Sequence, residues 1–126
     1  SKVLSIQGQD YTEQAGAIAG RRLLDGPVLP TAVLASNDQV AVGVMQVLSR
    51  SGVRIPEDVS VTGYDDSRFA SLSSVELTTA RQDPALLGRA AVEAVVRRIR
   101  KPEALPVEHV VQPTLVVRGS TGLVRH

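Results

Sequence analysis

Short polar stretches rich in Asp, Asn and Gln interrupt the apolar runs of this 126-residue chain. They are "QGQDY" at 7–11, "SND" at 36–38, "GYDD" at 63–66 and "QDP" at 82–84. Carboxylate and amide groups can bind the hydroxyls of a small molecule, because together they both donate and accept hydrogen bonds. Carboxylates can also bind a hard divalent cation such as Mg²⁺. Either chemistry requires the polar stretches to lie close together in the fold.

Each polar stretch follows an apolar run that has the length of a β-strand. Strands are predicted at about 3–7, 31–36, 59–64 and 77–83, with a last strand pair or long strand in 107–119. Apolar residues at three- and four-residue intervals predict helices at about 10–25, 38–51 and 84–100. This alternation predicts an α/β fold with a mostly parallel sheet. The polar stretches then share the carboxyl edge of the sheet, where open α/β folds bind ligands.

The same polar residues are preferred helix caps, so each has a structural interpretation beside the functional one. Asp10, followed by Glu13, is predicted to cap the first helix in a capping box. Asp38 is predicted to cap the second helix, which leaves Asn37 free to face a ligand. Asp83 is predicted to cap the third helix, since a proline stands at the first helical position after it.

Two aspartates and two tyrosines at the predicted sheet edge are also candidates for binding or packing. Asp65 stands at the end of a predicted strand, where a carboxylate can make charge-assisted hydrogen bonds to a ligand, whereas its neighbour Asp66 is predicted to hold its own loop. Tyr11 is either the flat wall of a ligand site or a surface residue, and both interpretations stay open. Tyr64 is predicted to be buried in the core.

Composition excludes several classes of partner. Fourteen Lys and Arg against thirteen Asp and Glu give a net charge of +1, so this segment alone is not expected to bind nucleic acid. Cysteine is absent, which excludes a disulfide framework. No apolar run is long enough to span a membrane, and the start "SKVLSIQGQD" does not resemble a signal peptide. We therefore expect a soluble, cytoplasmic protein. Because the chain opens without Met and directly in a predicted strand, we also expect it to be a piece of a longer protein.

An enzyme is the less favoured interpretation. Asp38, Asp65 and Asp66 could hold Mg²⁺ as in a phosphate-accepting receiver domain, but such domains keep an acidic pair after the first strand, where this chain has one acid. His109 and His126 are the available histidine bases, and neither is near a motif serine. No glycine-rich phosphate loop is present. The sequence therefore predicts a binding protein without a catalytic residue, metal or cofactor.

Three segments together resemble the effector-binding domain of the lactose-repressor (LacI/GalR) family of bacterial transcription regulators. They are "ASNDQVAVGVMQVLSRSGVRIPEDVSVTGYDD" at 35–66, "LTTARQDPALLGRAAVEAVVRRI" at 77–99 and "VVQPTLVVRGSTG" at 110–122. The resemblance implies a three-layer, periplasmic-binding-protein-like (type I) lobe over residues 1–126, with helix 84–100 packing on a first lobe that is absent here. It also implies that DNA is a partner only through a helix-turn-helix domain outside this chain.

The resemblance implies roles for individual residues of the polar stretches. Asn37 and Asp65 would hydrogen-bond hydroxyls of a small-molecule effector such as a sugar or related metabolite, Tyr11 would stack on its apolar face, and Gln82 would sit at the hinge. Effector binding would close the two lobes and control operator binding allosterically. The alternative is a sugar-binding transport protein of the same fold, without transcriptional output.

The predicted helix at 38–51 is apolar over about 200° of its circumference, although about 100° is enough to cover a sheet. In the family that this chain resembles, this helix belongs to the subunit interface. We therefore expect a two-fold homodimer whose interface includes Ala41, Val42, Met45 and Leu72. The alternative is that helix 84–100 folds back over this face.

Overall fold

The computed structural model describes residues 3–8 and 10–123 of the chain. Its elements follow in the order α1 (Glu13–Leu24), β1 (Ala32–Leu34), α2 (Asp38–Arg50), β2 (Ser60–Asp65), β3 (Thr78–Arg81), α3 (Pro84–Arg100) and β4 (Thr114–Val116). The sheet has the strand order β1-β2-β3-β4, in which the first three strands are parallel and β4 is antiparallel to β3. The α/β class and the mostly parallel sheet agree with the prediction made from the sequence.

The hydrophobic core lies between the sheet and the helices α1 and α2. Val44 and Leu48 of α2 and Val61 of β2 are almost completely buried in it, together with Leu77 just before β3. Burying such a side chain stabilises the fold by about 1.5–3 kcal/mol. Because side chains alternate along a strand, the residues beside Val61 in β2 face the opposite side of the sheet.

Helices α1 and α2 pack so closely that two glycines are required where they cross. A Cβ atom on Gly16 would overlap the carbonyl oxygen of Val40. A Cβ atom on Gly43 would overlap the carbonyl oxygen of Glu13 and lie 2.8 Å from the backbone nitrogen of Ala17. Because these neighbours are backbone atoms, no side-chain rotation could make room for a methyl group.

Helix α3 begins and ends as the sequence predicts. Asp83 caps it by accepting a hydrogen bond of 2.9 Å from the backbone nitrogen of Leu86. None of its residues is buried, so α3 does not form a second helical layer on the sheet. The prediction that Tyr64 is buried is therefore wrong: it points to the uncovered face of the sheet and is 36% exposed. Of the helices that the structure describes, none is long and apolar enough to cross a membrane.

Three predicted elements differ from the structure. Residues 3–8 do not form a strand, because none of the described residues pairs with them in a β-ladder. Helix α1 is capped by Thr12 rather than Asp10, and Asp10 instead accepts hydrogen bonds from the backbone and hydroxyl of Thr12. The long final strand is reduced to Thr114–Val116, so His109 lies in an exposed, irregular segment.

Candidate ligand-binding site

Asn37 lies directly before α2 and caps it, which corrects the prediction that its side chain is free. Its Oδ1 accepts a hydrogen bond of 2.8 Å from the backbone nitrogen of Val40, as an N-cap side chain does. Its Nδ2 donates a bond of 2.9 Å to the carbonyl oxygen of Tyr11. Asn37 therefore fixes the position of the loop that carries Tyr11, whose own side chain is 70% exposed.

Asp38 is the first residue of α2 rather than its cap, and its carboxylate is buried. It accepts one hydrogen bond of 2.6 Å from the hydroxyl of Thr79 and another of 2.6 Å from the backbone nitrogen of Ser67. The carboxylate lies over Gly63, where any Cβ atom would collide with it. The positive end of the α2 dipole favours this negative charge. Asp38 thus ties α2 to β3 and to the loop after β2.

Asp65 and Gln82 meet where β2 and β3 end. The Gln82 Nε2 donates a hydrogen bond of 2.8 Å to the Asp65 Oδ1. Asp65 is exposed and has a φ of 115°, a backbone conformation that residues other than glycine rarely adopt. Carboxylate and amide are therefore both presented at the carboxyl edge of the sheet.

Asp66 binds two arginines, as expected of a residue that holds its own loop. Its Oδ2 accepts a bond of 2.6 Å from the Arg81 Nε, and its Oδ1 accepts one of 2.7 Å from a terminal guanidinium nitrogen of Arg118. Burial alone would raise the pKa of Asp66, but the hydrogen bonds from Arg81 and Arg118 outweigh it and hold the pKa below its ordinary value.

The predicted site residues come together as two pairs, Asn37 with the Tyr11 loop and Asp65 with Gln82. Asn37 follows β1, Asp65 ends β2 and Gln82 follows β3, and these strands are neighbours in the sheet. At a strand spacing of about 4.8 Å, the row extends over about 10 Å. A row of this width, with an exposed aromatic side chain at one end, is suited to a small polyhydroxylated molecule.

Thr79, Arg81 and Arg118 were not predicted from the sequence. Their side chains hydrogen-bond the carboxylates of Asp38 and Asp66 next to the site. Their partners lie far along the chain, so no local pattern marks them. Among the described residues, no group of three or more His, Asp or Glu side chains is placed to hold a metal ion. His126 lies outside the described residues.

A second surface feature lies on the outer side of α1 and α2. It is a groove with a volume of about 500 Å³, lined by Thr12, Glu13, Gln14, Ala17, Gln39, Val42 and Phe69. Of the predicted interface residues, Val42 is half-buried in this groove and Leu72 is exposed. Met45 packs partly against the core. Ala41 is completely buried inside the chain, so the prediction that it meets a second subunit is wrong.

The chain is similar to several bacterial regulators. Residues 3–121 match the family described as periplasmic binding protein-like domain. The ribose operon repressor of Escherichia coli K12 is 38% identical over 111 residues, which are 88% of this chain and 34% of the repressor. The chain thus spans about a third of that relative's length.

Solved structures give the same result. The structure of a LacI transcriptional regulator from a Rhodococcus species has a TM-score of 0.83 and 44% identity, covering 91% of this chain and 42% of that one. A LacI family transcriptional regulator from Enterococcus faecium with bound ribose has a TM-score of 0.81 and 31% identity, covering 91% of this chain and 42% of that one.

Proposed function

This chain belongs to the lactose-repressor (LacI/GalR) family with its periplasmic binding protein-like domain, and from that premise we propose that it senses a small sugar for a transcription regulator. The observation that carries the proposal is the pair of Asp65 and Gln82 at the carboxyl edge of the sheet, with the exposed Tyr11 on the loop that Asn37 holds at the same edge. The named relatives are an operon repressor and transcriptional regulators, which favours a regulator over a transport protein.

The groups at the sheet edge suit the recognition of a sugar. Only one oxygen of the Asp65 carboxylate accepts the bond from Gln82, so the carboxylate keeps acceptor capacity for a sugar hydroxyl. A bond from a hydroxyl to a carboxylate is charge-assisted and therefore strong. Tyr11 offers an exposed ring for the apolar face of the sugar. The chemistry is that of binding rather than catalysis.

We assign residues 1–126 to the second of two lobes, with α3 packing on the first. The apolar residues of α3 support this assignment, because Val92, Val95 and Ile99 are exposed in this chain. A sugar would then be enclosed between the two lobes. Closure around it would shift the equilibrium between DNA-competent and incompetent states of a protein whose helix-turn-helix domain lies outside this chain.

We further propose that a second copy of the chain covers the groove on α1 and α2. Val42 lines it, Phe69 is 38% exposed beside it and Leu72 is exposed nearby. Helix α3 does not cover this face, since none of its residues is buried. A two-fold axis through the groove would bury the apolar residues that α2 has in excess of those facing the sheet.

Calorimetric titration of the full-length protein with D-ribose tests the sensing role. Asp65→Ala is expected to weaken ribose binding by about 10- to 100-fold, because the hydroxyl it binds loses its acceptor. Asp58→Ala is the matched control, since Asp58 pairs with Arg54 on the surface away from the site. Asn37→Ala is a poorer test because it also removes a helix cap, which costs about 1 kcal/mol of stability.

The outcome distinguishes the parts of the proposal. Wild-type protein that binds neither ribose nor any other sugar of a panel of pentoses, hexoses and disaccharides would overturn the sensing role. Equal ribose affinities of wild type and Asp65→Ala would overturn the role of this carboxylate.

A further inference from the structure

The carboxylate of Asp66 forms ion pairs with two different arginines. Its side chain is only 9% exposed, and each of its oxygens receives an arginine donor, from Arg81 at 2.6 Å and from Arg118 at 2.7 Å. A charge that is nearly buried is tolerated only when it is paired and hydrogen-bonded in this way. The site described above does not use Asp66 directly, so its pairing needs another explanation.

The two arginines lie on either side of α3 in the chain, one before this helix and one after it. Arg81 is the last residue of β3, immediately before Gln82 and α3, whereas Arg118 lies just after β4, where the chain has returned. Arg118 is fixed in turn by a bond of 2.9 Å from its guanidinium to the carbonyl oxygen of Leu77. The Asp66 carboxylate therefore links the end of β2 to two other segments. These are the end of β3, where the chain leaves toward α3, and the segment after β4, where it returns.

The backbone at Asp65 and Asp66 is unusual as well. Both residues have positive φ angles, of 115° and 53°. Non-glycine residues keep such conformations only where the surrounding contacts enforce them. The contacts of Asp66 do so here: its carboxylate binds Arg81 and Arg118, and its backbone nitrogen donates to the hydroxyl of Thr79 at 3.4 Å. Within this turn, the Asp65 side chain accepts its hydrogen bond from Gln82.

We propose that Asp66 is the positioning residue of the site, which through Arg81 and Arg118 holds the 65–66 turn so that Asp65 and Gln82 are presented together to the ligand. The inference rests on the proposed function for its ligand, but the arrangement of Asp65 and Gln82 can be measured without one. Asp66→Asn keeps the shape of the side chain, yet its NH₂ group cannot accept from an arginine. One of the two bonds is lost and the turn is released.

A ligand-free measurement is the first test. In NMR spectra of the 126-residue chain, Asp66→Asn is expected to shift the backbone amide signal of Asp65 and the side-chain amide signals of Gln82. Asp58→Asn is the matched control, because it makes the same change in the surface pair that Asp58 forms with Arg54 at 2.6 Å. Unchanged Asp65 and Gln82 signals in Asp66→Asn would overturn the proposal.

Arg81→Gln provides a second variant in case Asp66→Asn does not fold. The Arg81 side chain is 55% exposed, so its loss removes one partner of Asp66 without emptying the core. The same signals of Asp65 and Gln82 are expected to shift, whereas Arg81→Lys, which keeps the cation, should shift them less. Arg81→Gln spectra identical to wild type at both residues would equally overturn the proposal.

The functional readout is D-ribose affinity in the full-length protein. Under conditions where circular dichroism shows the variant to be folded, Asp66→Asn is expected to bind ribose about tenfold more weakly, although Asp66 itself does not touch the ligand. Shifted NMR signals with wild-type ribose affinity would overturn the positioning role. If wild-type protein does not bind ribose, the ligand assignment fails, while the NMR comparison still decides whether Asp66 orders Asp65 and Gln82.

Discussion

Replacing Gly43 by alanine is expected to destabilise the chain, although alanine is the better helix former. The added methyl group would overlap the carbonyl oxygen of Glu13 and lie 2.8 Å from the backbone nitrogen of Ala17. Since both are backbone atoms of α1, the two helices must move apart. Such overpacking costs about 1–3 kcal/mol.

The intrinsic gain from alanine opposes this cost. A glycine in a helix interior is about 0.5–1 kcal/mol less favourable than alanine. The steric term is the larger one, so Gly43→Ala should lose about 1–2 kcal/mol of unfolding free energy. For a urea dependence of about 2 kcal/mol per molar, the unfolding midpoint followed by circular dichroism should fall by about 0.5–1 M.

Gly88→Ala in α3 is the matched control. Nothing lies within 4 Å of the Cβ atom that it would add. Only the higher helix propensity of alanine acts at this position. The helical signal in circular dichroism should therefore rise, and the urea unfolding midpoint should not fall. A midpoint for Gly43→Ala at or above the wild-type value would refute the close crossing of α1 and α2.

Three shorter predictions concern other parts of the fold. Asp38→Ala should lower the unfolding free energy by about 2–4 kcal/mol, because it leaves the Thr79 hydroxyl and the Ser67 nitrogen without their acceptor; a loss under 1 kcal/mol in urea unfolding would contradict this. Since the pKa of Asp66 is lowered in the fold, its ion pairs stabilise the chain above the ordinary aspartate pKa of about 4 and are lost as the pH falls below it; Asp66→Asn should therefore show a weaker fall in thermal unfolding midpoint between about pH 5 and pH 3, and an equal fall would argue against it. Val42→Lys should give a folded monomer, because a two-fold axis places two like charges in one apolar patch; light scattering that shows a monomeric wild type, or a dimeric variant, would reject the proposed interface.

Elements with strong local signals could be predicted from the sequence, and those that depend on distant partners could not. Asp83 and Pro84 mark the start of α3 because a cap and an N1 proline act within one helical turn. Residues 3–7 have the composition of a strand, but a strand also requires a hydrogen-bonded neighbour, which composition does not reveal.

The residues of the candidate site also divide into those that local patterns predict and those whose roles depend on distant partners. Asn37, Asp65 and Gln82 were placed at one sheet edge by the alternation of strands and helices. The exchange of roles between Asn37 and Asp38 could not be foreseen, because it depends on Thr79, 41 residues farther along the chain. A helical wheel likewise cannot tell which part of a broad apolar stripe faces the sheet, and Ala41 is on that part.

Strand β1 has a consequence for how the chain behaves in concentrated solution. It forms one edge of the sheet, and its Leu34 side chain is 83% exposed. The surrounding segment 31–36 has neither a charge nor an internal proline, the features by which natural edge strands prevent pairing with other chains. Open-ended β-association along this edge is therefore a route to aggregation that differs from a closed dimer. Leu34→Lys should suppress turbidity on concentration without affecting the proposed interface on α1 and α2.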